Sequence, residues 1–196
     1  RARLFRISFS GELAYEIAVP TRYGDALIRK LMEAGEEFDV VPYGTEALGV
    51  MRIEKGHATG NELTGQTTAR DLGLGGMISK KKDAIGKTLS ERENMNREDG
   101  WRLMGFKPVD TAKPLLAGAH FVDESAAATT ENDLGWMTSV AYSPSLGHSI
   151  GLGFVKRGHE RLGERVRAIS PIKGSEVVVE IVSPHFIDPE GERLRG

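Results

Sequence analysis

Two charged residues on short regular elements are the positions in this sequence that could carry chemistry. Glu16 follows Tyr15 at the start of an alternating run, and Arg52 lies on a predicted helix over 45–55. A carboxylate can accept two parallel N–H donors in a bidentate fork, and a guanidinium can pair with a carboxylate in the same planar way. Residue spacing by itself favours a plainer interpretation of both, an exposed glutamate on a strand and an arginine on a solvated helix.

The element that must position Glu16 is a predicted β-hairpin. Apolar and polar residues alternate over 4–10, which predicts a strand with one buried face. Gly11 and Glu12 supply a turn, and the alternation resumes over 15–19. We interpret Glu12 as part of the turn. The hairpin therefore carries Glu16 on its second strand.

Two helices and a long loop are predicted after the hairpin. Apolar residues recur at helical spacing over 21–35, and the second helix, over 45–55, is followed by a glycine. Residues 56–76 contain six glycines in 21 positions and are predicted to be irregular. A polar, charged stretch follows, and we place a domain boundary within 90–100.

From Trp101 onward the pattern changes to short strands separated by Pro and Gly turns. This texture predicts a small barrel or sandwich. The predicted strands cover 101–106, 118–122, 135–142, 149–155, 165–169 and 175–182.

Composition excludes several classes of function. The net charge of −2 with mixed signs gives no electrostatic footprint for nucleic acid, and no apolar run could span a membrane. The chain has no cysteine, which excludes disulfides and thiolate metal sites and fits a cytoplasmic protein. The five histidines lack metal-ligand spacing, so we expect no metal. Gly73-Leu-Gly-Gly76 lacks the context of a nucleotide loop.

Three segments resemble motifs of the folate-binding aminomethyltransferase family, to which the T-protein of the glycine cleavage system belongs. Residues 6–17 resemble its Arg-x-x-Tyr-Thr-Gly-Glu-x-Gly-Tyr/Phe-Glu-Ile signature, 46–56 its arginine helix, and 135–154 its barrel motif. The resemblance implies an α+β fold. A partial folate-binding α/β domain over 1–95 would precede a small C-terminal antiparallel β-barrel over 96–196.

The family resemblance also implies a cofactor, tetrahydrofolate, and residues that bind it. Glu16 would accept the paired N–H donors of the pterin, and Arg52 would point into the folate site. Phe9 and Tyr15 would border the ligand, although Phe9 replaces the family's tyrosine and loses its hydroxyl. The family's catalytic aspartate belongs to an N-terminal segment that this chain does not contain. The catalytic residue is therefore unknown, and we expect the chain to be part of a longer subunit and inactive alone.

The closing residues 182–196 resemble one branch of this family, the alpha subunits of heterotetrameric sarcosine oxidases. That branch implies partners, namely other oxidase subunits and the missing N-terminal part of the same subunit. Flavin and NAD would lie on those other parts, and folate would capture the one-carbon unit of an oxidised amine whose identity stays open. Alternatives are a dimethylglycine oxidase, a glycine cleavage aminomethyltransferase, or a non-enzymatic folate-binding or subunit-interface module.

Overall fold

The first half of the chain contains short elements joined by irregular segments in the computed structural model, which describes residues 1–196. The elements are β1 Arg3–Phe5, β2 Glu16–Ala18, α1 Gly24–Gly35, α2 Thr45–Lys55 and α3 Lys87–Ser90. β1 and β2 pair antiparallel. The helix predicted over 45–55 is confirmed, and the left-handed Gly56 (φ 80°) ends it.

The hairpin differs from its prediction in length and in burial. Its strands have three residues each, and the long connection over 6–15 is irregular. The predicted buried face is exposed, since Phe5, Ile7 and Phe9 retain 40%, 50% and 36% of their accessible surface. Helix α1 likewise has no buried residue. The alternation over 4–10 therefore predicts a longer strand than the one that forms, and its apolar side chains stay exposed.

The second half of the chain closes into a barrel of six antiparallel strands. They are β3 Trp101–Pro108, β4 His120–Asp123, β5 Gly135–Ser143, β6 His148–Lys156, β7 Arg165–Ser170 and β8 Ser175–Val182. Their order is β3-β6-β5-β4-β7-β8, and β8 pairs with β3 to close the barrel. A last short helix, α4, covers Glu192–Arg195. The predicted fold class, α+β with a C-terminal antiparallel β-barrel, is confirmed.

Burial along the strands shows how the barrel connects to α2. β8 alternates between buried and partly exposed residues, because only its inner face packs in the core. β6 is buried at every position over 150–155, so both of its faces are covered. A cluster on the outer face joins Ile53 of α2 to Leu103, Ile150, Leu152 and Phe154. The boundary near residue 95 stays a prediction, and α2 packs on the barrel across it.

The uneven packing predicts uneven local stability. In the chain 1–196, we expect the amide protons of α1 and of the β1–β2 pair to exchange with solvent long before those of β3 and β6. Segments with few buried apolar contacts open with free energies near zero, whereas core strands open only with global unfolding. Hydrogen exchange followed by mass spectrometry measures this order. Equal protection in both halves would contradict the structure, because it would require buried packing in the first half that the structure does not show.

Candidate functional site

The last turn of α2 is one of the places where the two halves of the chain meet. Its four residues, Arg52, Ile53, Glu54 and Lys55, are all buried, although three of them carry a charge. Ile53 packs on the barrel, Arg52 and Glu54 both contact β5, and Lys55 contacts Asp188 near the C-terminus. The interpretation of Arg52 as part of a solvated helix is therefore wrong, because the barrel and the loop after α2 cover this turn.

Arg52 is held by partners far away in the sequence. Its Nη1 lies 3.2 Å from Oε2 of Glu62 and 3.3 Å from the carbonyl oxygen of His57. Its Nη2 donates to Oγ of Ser139 on β5 at 2.7 Å. The guanidinium thus ties α2, the following loop and the barrel together.

Glu62 is the fully buried centre of this network. Its carboxylate accepts hydrogen bonds from the hydroxyls of Thr138, at 2.5 Å, and Ser139, at 2.6 Å, and from the backbone N–H of Thr59, at 2.8 Å. Consecutive strand residues ordinarily point to opposite faces. A shift in register between Met137 and Ser139 interrupts β5 at this point, and such a bulge lets both hydroxyls reach one carboxylate.

The surroundings of Glu62 keep it ionised. Burial raises the pKa of this carboxyl, but the hydrogen bonds from Ser139, Thr138 and Thr59, together with the Arg52 charge, outweigh burial. The net result is a pKa below the ordinary glutamate value. The Arg52–Glu62 contact is therefore a buried ion pair with its hydrogen bonds satisfied.

A second buried contact joins α2 to the end of β5. Ser143 Oγ donates to Oε1 of Glu54 at 2.5 Å and accepts the backbone N–H of Leu146 at 3.1 Å. Both side chains are buried. The Ser143 hydroxyl thus stabilises the turn into β6, and its proton is engaged by Glu54.

The predicted folate residues of the hairpin lie on the surface of the chain. Tyr15 and Glu16 are exposed. The ring of Phe9 stacks on the ring of His57 with 6.1 Å between centroids, and its carbonyl oxygen accepts a hydrogen bond from Nδ1 of His57 at 3.0 Å. The structure therefore brings Phe9 into contact with His57, just after the end of α2. Arg52 instead lies in the buried network with Glu62 and Ser139.

The sequence did not single out Glu62, Glu54 or Lys55 as site residues. The available signal was weak: Glu62 is the only acidic residue over 56–70, and it closely follows an arginine helix.

No group of three or more histidine, cysteine, aspartate or glutamate side chains is arranged to hold a metal ion. A cleft of about 570 Å³, lined by Arg70, Arg102 and other charged residues together with two glycines, has no hydrophobic side chain in its lining, unlike typical sites for small ligands.

Two family models match the chain in the order that the fold shows. Residues 1–82 match the GCVT N-terminal domain, and residues 102–188 match the glycine cleavage T-protein C-terminal barrel domain. The chain belongs to the glycine cleavage T-protein family. The aminomethyltransferase T of Bartonella henselae shares its fold, with a TM-score of 0.71 and 23% identity over 96% of this chain and 50% of that one.

Within this family the chain is similar to sarcosine oxidase subunit alpha. It is 46% identical to that subunit from Rhizobium meliloti (strain 1021) over 97% of its length, and 43% identical to that from Corynebacterium sp. (strain P-1) over 100%. The chain covers 20% of the length of each of these two proteins. It is 29% identical to the aminomethyltransferase of Halalkalibacterium halodurans over 93% of its length, and covers 48% of that protein. None of the helices combines the length and apolar character needed to cross a bilayer.

Proposed function

We propose that this chain is the tetrahydrofolate-binding part of a sarcosine oxidase alpha subunit. The observation that carries the proposal is the exposed Glu16 and Tyr15 on a hairpin anchored to α2, in a chain of the aminomethyltransferase family. In this function, a flavin elsewhere in the enzyme oxidises sarcosine to an imine. Tetrahydrofolate supplies the nitrogen that captures the one-carbon unit, giving methylenetetrahydrofolate.

The hairpin residues have the chemistry that a pterin requires. The Glu16 carboxylate can accept two parallel N–H donors of the amino-pyrimidinone edge, and such charge-assisted pairs are short and specific. Tyr15 and Phe9 offer aromatic surface beside it. Direct contact between Arg52 and folate stays a prediction, because its contacts with Glu62, Ser139 and the His57 carbonyl give it a supporting role. In that role it holds the loop after α2 against the barrel.

The exposed apolar layer over residues 1–43 supports the expectation that further polypeptide completes the site. Fourteen large apolar side chains of this layer are exposed: Leu4, Phe5, Ile7, Phe9, Leu13, Tyr15, Ile17, Tyr23, Ile28, Leu31, Phe38, Val40, Val41 and Tyr43. Unpartnered apolar surface of this extent is unusual for a complete domain. We propose that the preceding part of the same aminomethyltransferase-like domain covers it and supplies the catalytic carboxylate, so that this chain is inactive alone.

The remaining parts of the enzyme belong to the same proposal. Flavin and NAD would lie on other parts of the alpha subunit or on other oxidase subunits, which would be this chain's partners. The cytoplasmic location that fits a cysteine-free sequence is also part of it.

The test is calorimetric titration of the full-length subunit with folinate, a stable tetrahydrofolate derivative, alongside Glu16→Ala. We expect the variant to raise the Kd about 10- to 100-fold, because removing the acceptor leaves buried pterin donors unpaired at about 1–3 kcal/mol. Glu12→Ala is the matched control on the same hairpin, and we expect its Kd to stay within about twofold of the original, since exposed ion pairs such as Glu12–Arg193 contribute little.

Three results are possible in this titration. Loss of affinity confined to Glu16→Ala supports the proposed site. Equal loss in both variants would mean that folding of the hairpin, and not the Glu16 carboxylate, determines binding. A well-folded full-length subunit that binds no folinate would overturn the proposal and favour the subunit-interface module instead.

A further inference from the structure

The C-terminal tail, residues 183–196, runs back from the barrel to the hairpin at the other end of the chain. Backbone N–H groups of Phe186 and Ile187 donate to the carbonyl oxygen of Glu54, at 2.9 and 3.0 Å. Further along the tail, Arg6 of the hairpin donates to the carbonyl oxygens of Leu194 and Arg195, at 3.2 and 3.1 Å. The tail therefore touches both α2 and the hairpin.

Lys55 is the side chain at the centre of this arrangement. Its ammonium lies 3.2 Å from Oδ2 of Asp188 and also donates to the Asp188 carbonyl oxygen. Only 9% and 10% of the two side chains is exposed, so solvent screens this pair much less than a surface pair. His185 makes a further contact, with Nδ1 at 2.8 Å from the carbonyl oxygen of Lys55.

The aliphatic stem of Lys55 supports the turn of the hairpin. Gly11 is buried against it, and a Cβ placed on Gly11 would lie 2.7 Å from Cγ of Lys55. The backbone of Gly11 has a φ of 91°, which favours glycine. Gly11 therefore approaches the stem as closely as it does because it has no side chain. A shift in the Lys55 side chain would change the surface on which this turn rests.

Asp188 is itself held firmly. Its two carboxylate oxygens accept the backbone N–H groups of Glu192, at 2.8 Å, and Arg193, at 3.1 Å, at the start of α4. Burial raises the pKa of Asp188, but these two N–H groups and the Lys55 ammonium outweigh it and hold the pKa below its ordinary value. The carboxylate thus joins the folded end of the tail to Lys55.

We propose that Lys55 and Asp188 are positioning residues for the folate-binding hairpin, and that they act through Gly11 on the placement of Glu16. This inference rests on the proposed function, because it concerns the geometry of the same ligand site. Besides the tail and Lys55, the hairpin is anchored through the Phe9–His57 contact. Loosening one of these anchors would let Glu16 depart from the geometry that a bidentate contact requires.

The test uses the full-length subunit in its native assembly and measures the Kd for folinate by calorimetry. Asp188→Asn removes the charge but keeps a residue type that tolerates the left-handed backbone at this position (φ 51°). Lys55→Met removes the ammonium but keeps an unbranched apolar stem beneath Gly11. We expect each variant to raise the Kd about tenfold, within the range for groups that are energetically coupled.

A double-mutant cycle separates positioning from a general loss of structure. In a Glu16→Gln background, we expect Asp188→Asn to change the Kd by less than about twofold, because its effect is transmitted to the Glu16 contact. Asp99→Asn is the matched control, since it breaks an exposed aspartate pair with Arg97 in the segment just before β3. We expect it to leave the Kd unchanged.

The outcomes distinguish this inference from the proposed function. If the original protein binds folinate and Glu16→Ala weakens binding, but Asp188→Asn and Lys55→Met bind normally, the positioning role is overturned and the proposed function stands. An equal loss in the presence and absence of Glu16 overturns it as well. If the original protein binds no folinate, both proposals fail together.

Discussion

Replacing Glu62 with glutamine is expected to lower the free energy of unfolding of this chain by about 3–5 kcal/mol, the range for breaking a buried ion pair from one side. The variant leaves the Arg52 guanidinium without its counter-charge in a place that solvent barely reaches, where the two side chains retain 9% and 0% exposure. It also replaces one carboxylate oxygen with an amide NH2, which donates and cannot accept. One oxygen of Glu62 accepts from Thr138 and Ser139 and the other from Arg52 and the Thr59 N–H, so one of these two pairs of donors loses its acceptor.

Urea unfolding followed by tryptophan fluorescence measures this change, because Trp101 and Trp136 both lie in the barrel and contact each other. The matched control is Glu33→Gln on α1, whose ion pair with Lys30 is largely exposed, and we expect a change of less than about 1 kcal/mol. If both variants lose the same small amount, the Arg52–Glu62 pair contributes no more than a surface pair, and the role assigned to this network is wrong.

We also expect Glu62→Gln to change how the stability of the chain depends on pH. The pKa of Glu62 in the folded chain lies below its ordinary value of 4.5, so the unfolded chain takes up this proton first as the pH falls. The stabilisation from Glu62 is therefore complete above pH 4.5 and is lost as the pH falls through the folded pKa. Glu62→Gln should show a shallower loss of stability below pH 4.5, measured by urea unfolding at several pH values. Parallel pH profiles of the two proteins would contradict the depressed pKa.

Replacing Gly135 with alanine is the second change with a large expected effect, about 2–5 kcal/mol of destabilisation from backbone strain and overpacking together. Gly135 begins β5 with a φ of 144°, and a Cβ there would overlap the carbonyl oxygen of Phe154 on β6. Because the obstacle is the backbone of the neighbouring strand, no side-chain rotation relieves it. Thermal unfolding followed by circular dichroism measures the loss.

Gly147→Ala provides the control for Gly135→Ala. Gly147 also has a positive φ, 74°, but nothing lies within 4 Å of the position that its Cβ would take. This variant should therefore lose only the left-handed backbone penalty, about 1–2 kcal/mol. If Gly135→Ala and Gly147→Ala lose the same amount, close approach of β5 and β6 is not what requires glycine at position 135.

The barrel shows how far local patterns determine a fold. The strand predicted over 175–182 is present with the same bounds, and the other five are displaced by at most two residues at either end. Alternation with period two and turn residues such as Gly174 are properties of neighbouring positions, so they can be interpreted without knowledge of distant contacts. The register shift between Met137 and Ser139 could not be predicted from the sequence in this way, because it arises from the pairing of β5 with β6.

The hairpin shows where local patterns are insufficient. Alternation over 4–10 predicts side chains that share one face of a strand, but the length of the strand and the burial of its face depend on what pairs with it and packs against it. Phe5, Ile7 and Phe9 are exposed for that reason. Similarly, helical spacing located Arg52 on α2 but could not show whether solvent or protein surrounds it.

By itself, the sequence determined the family, the barrel, helix α2 and the hairpin that carries Glu16, since each depends on motifs or periodicities within about twenty consecutive residues. Only the tertiary structure decided the partners of the buried charges. Arg52 meets Ser139 across 87 positions, and Lys55 meets Asp188 across 133. Contacts over such separations arise from how the barrel closes and how the tail returns to α2. Local spacing does not encode these contacts, because the residues come together only when distant parts of the chain fold against each other.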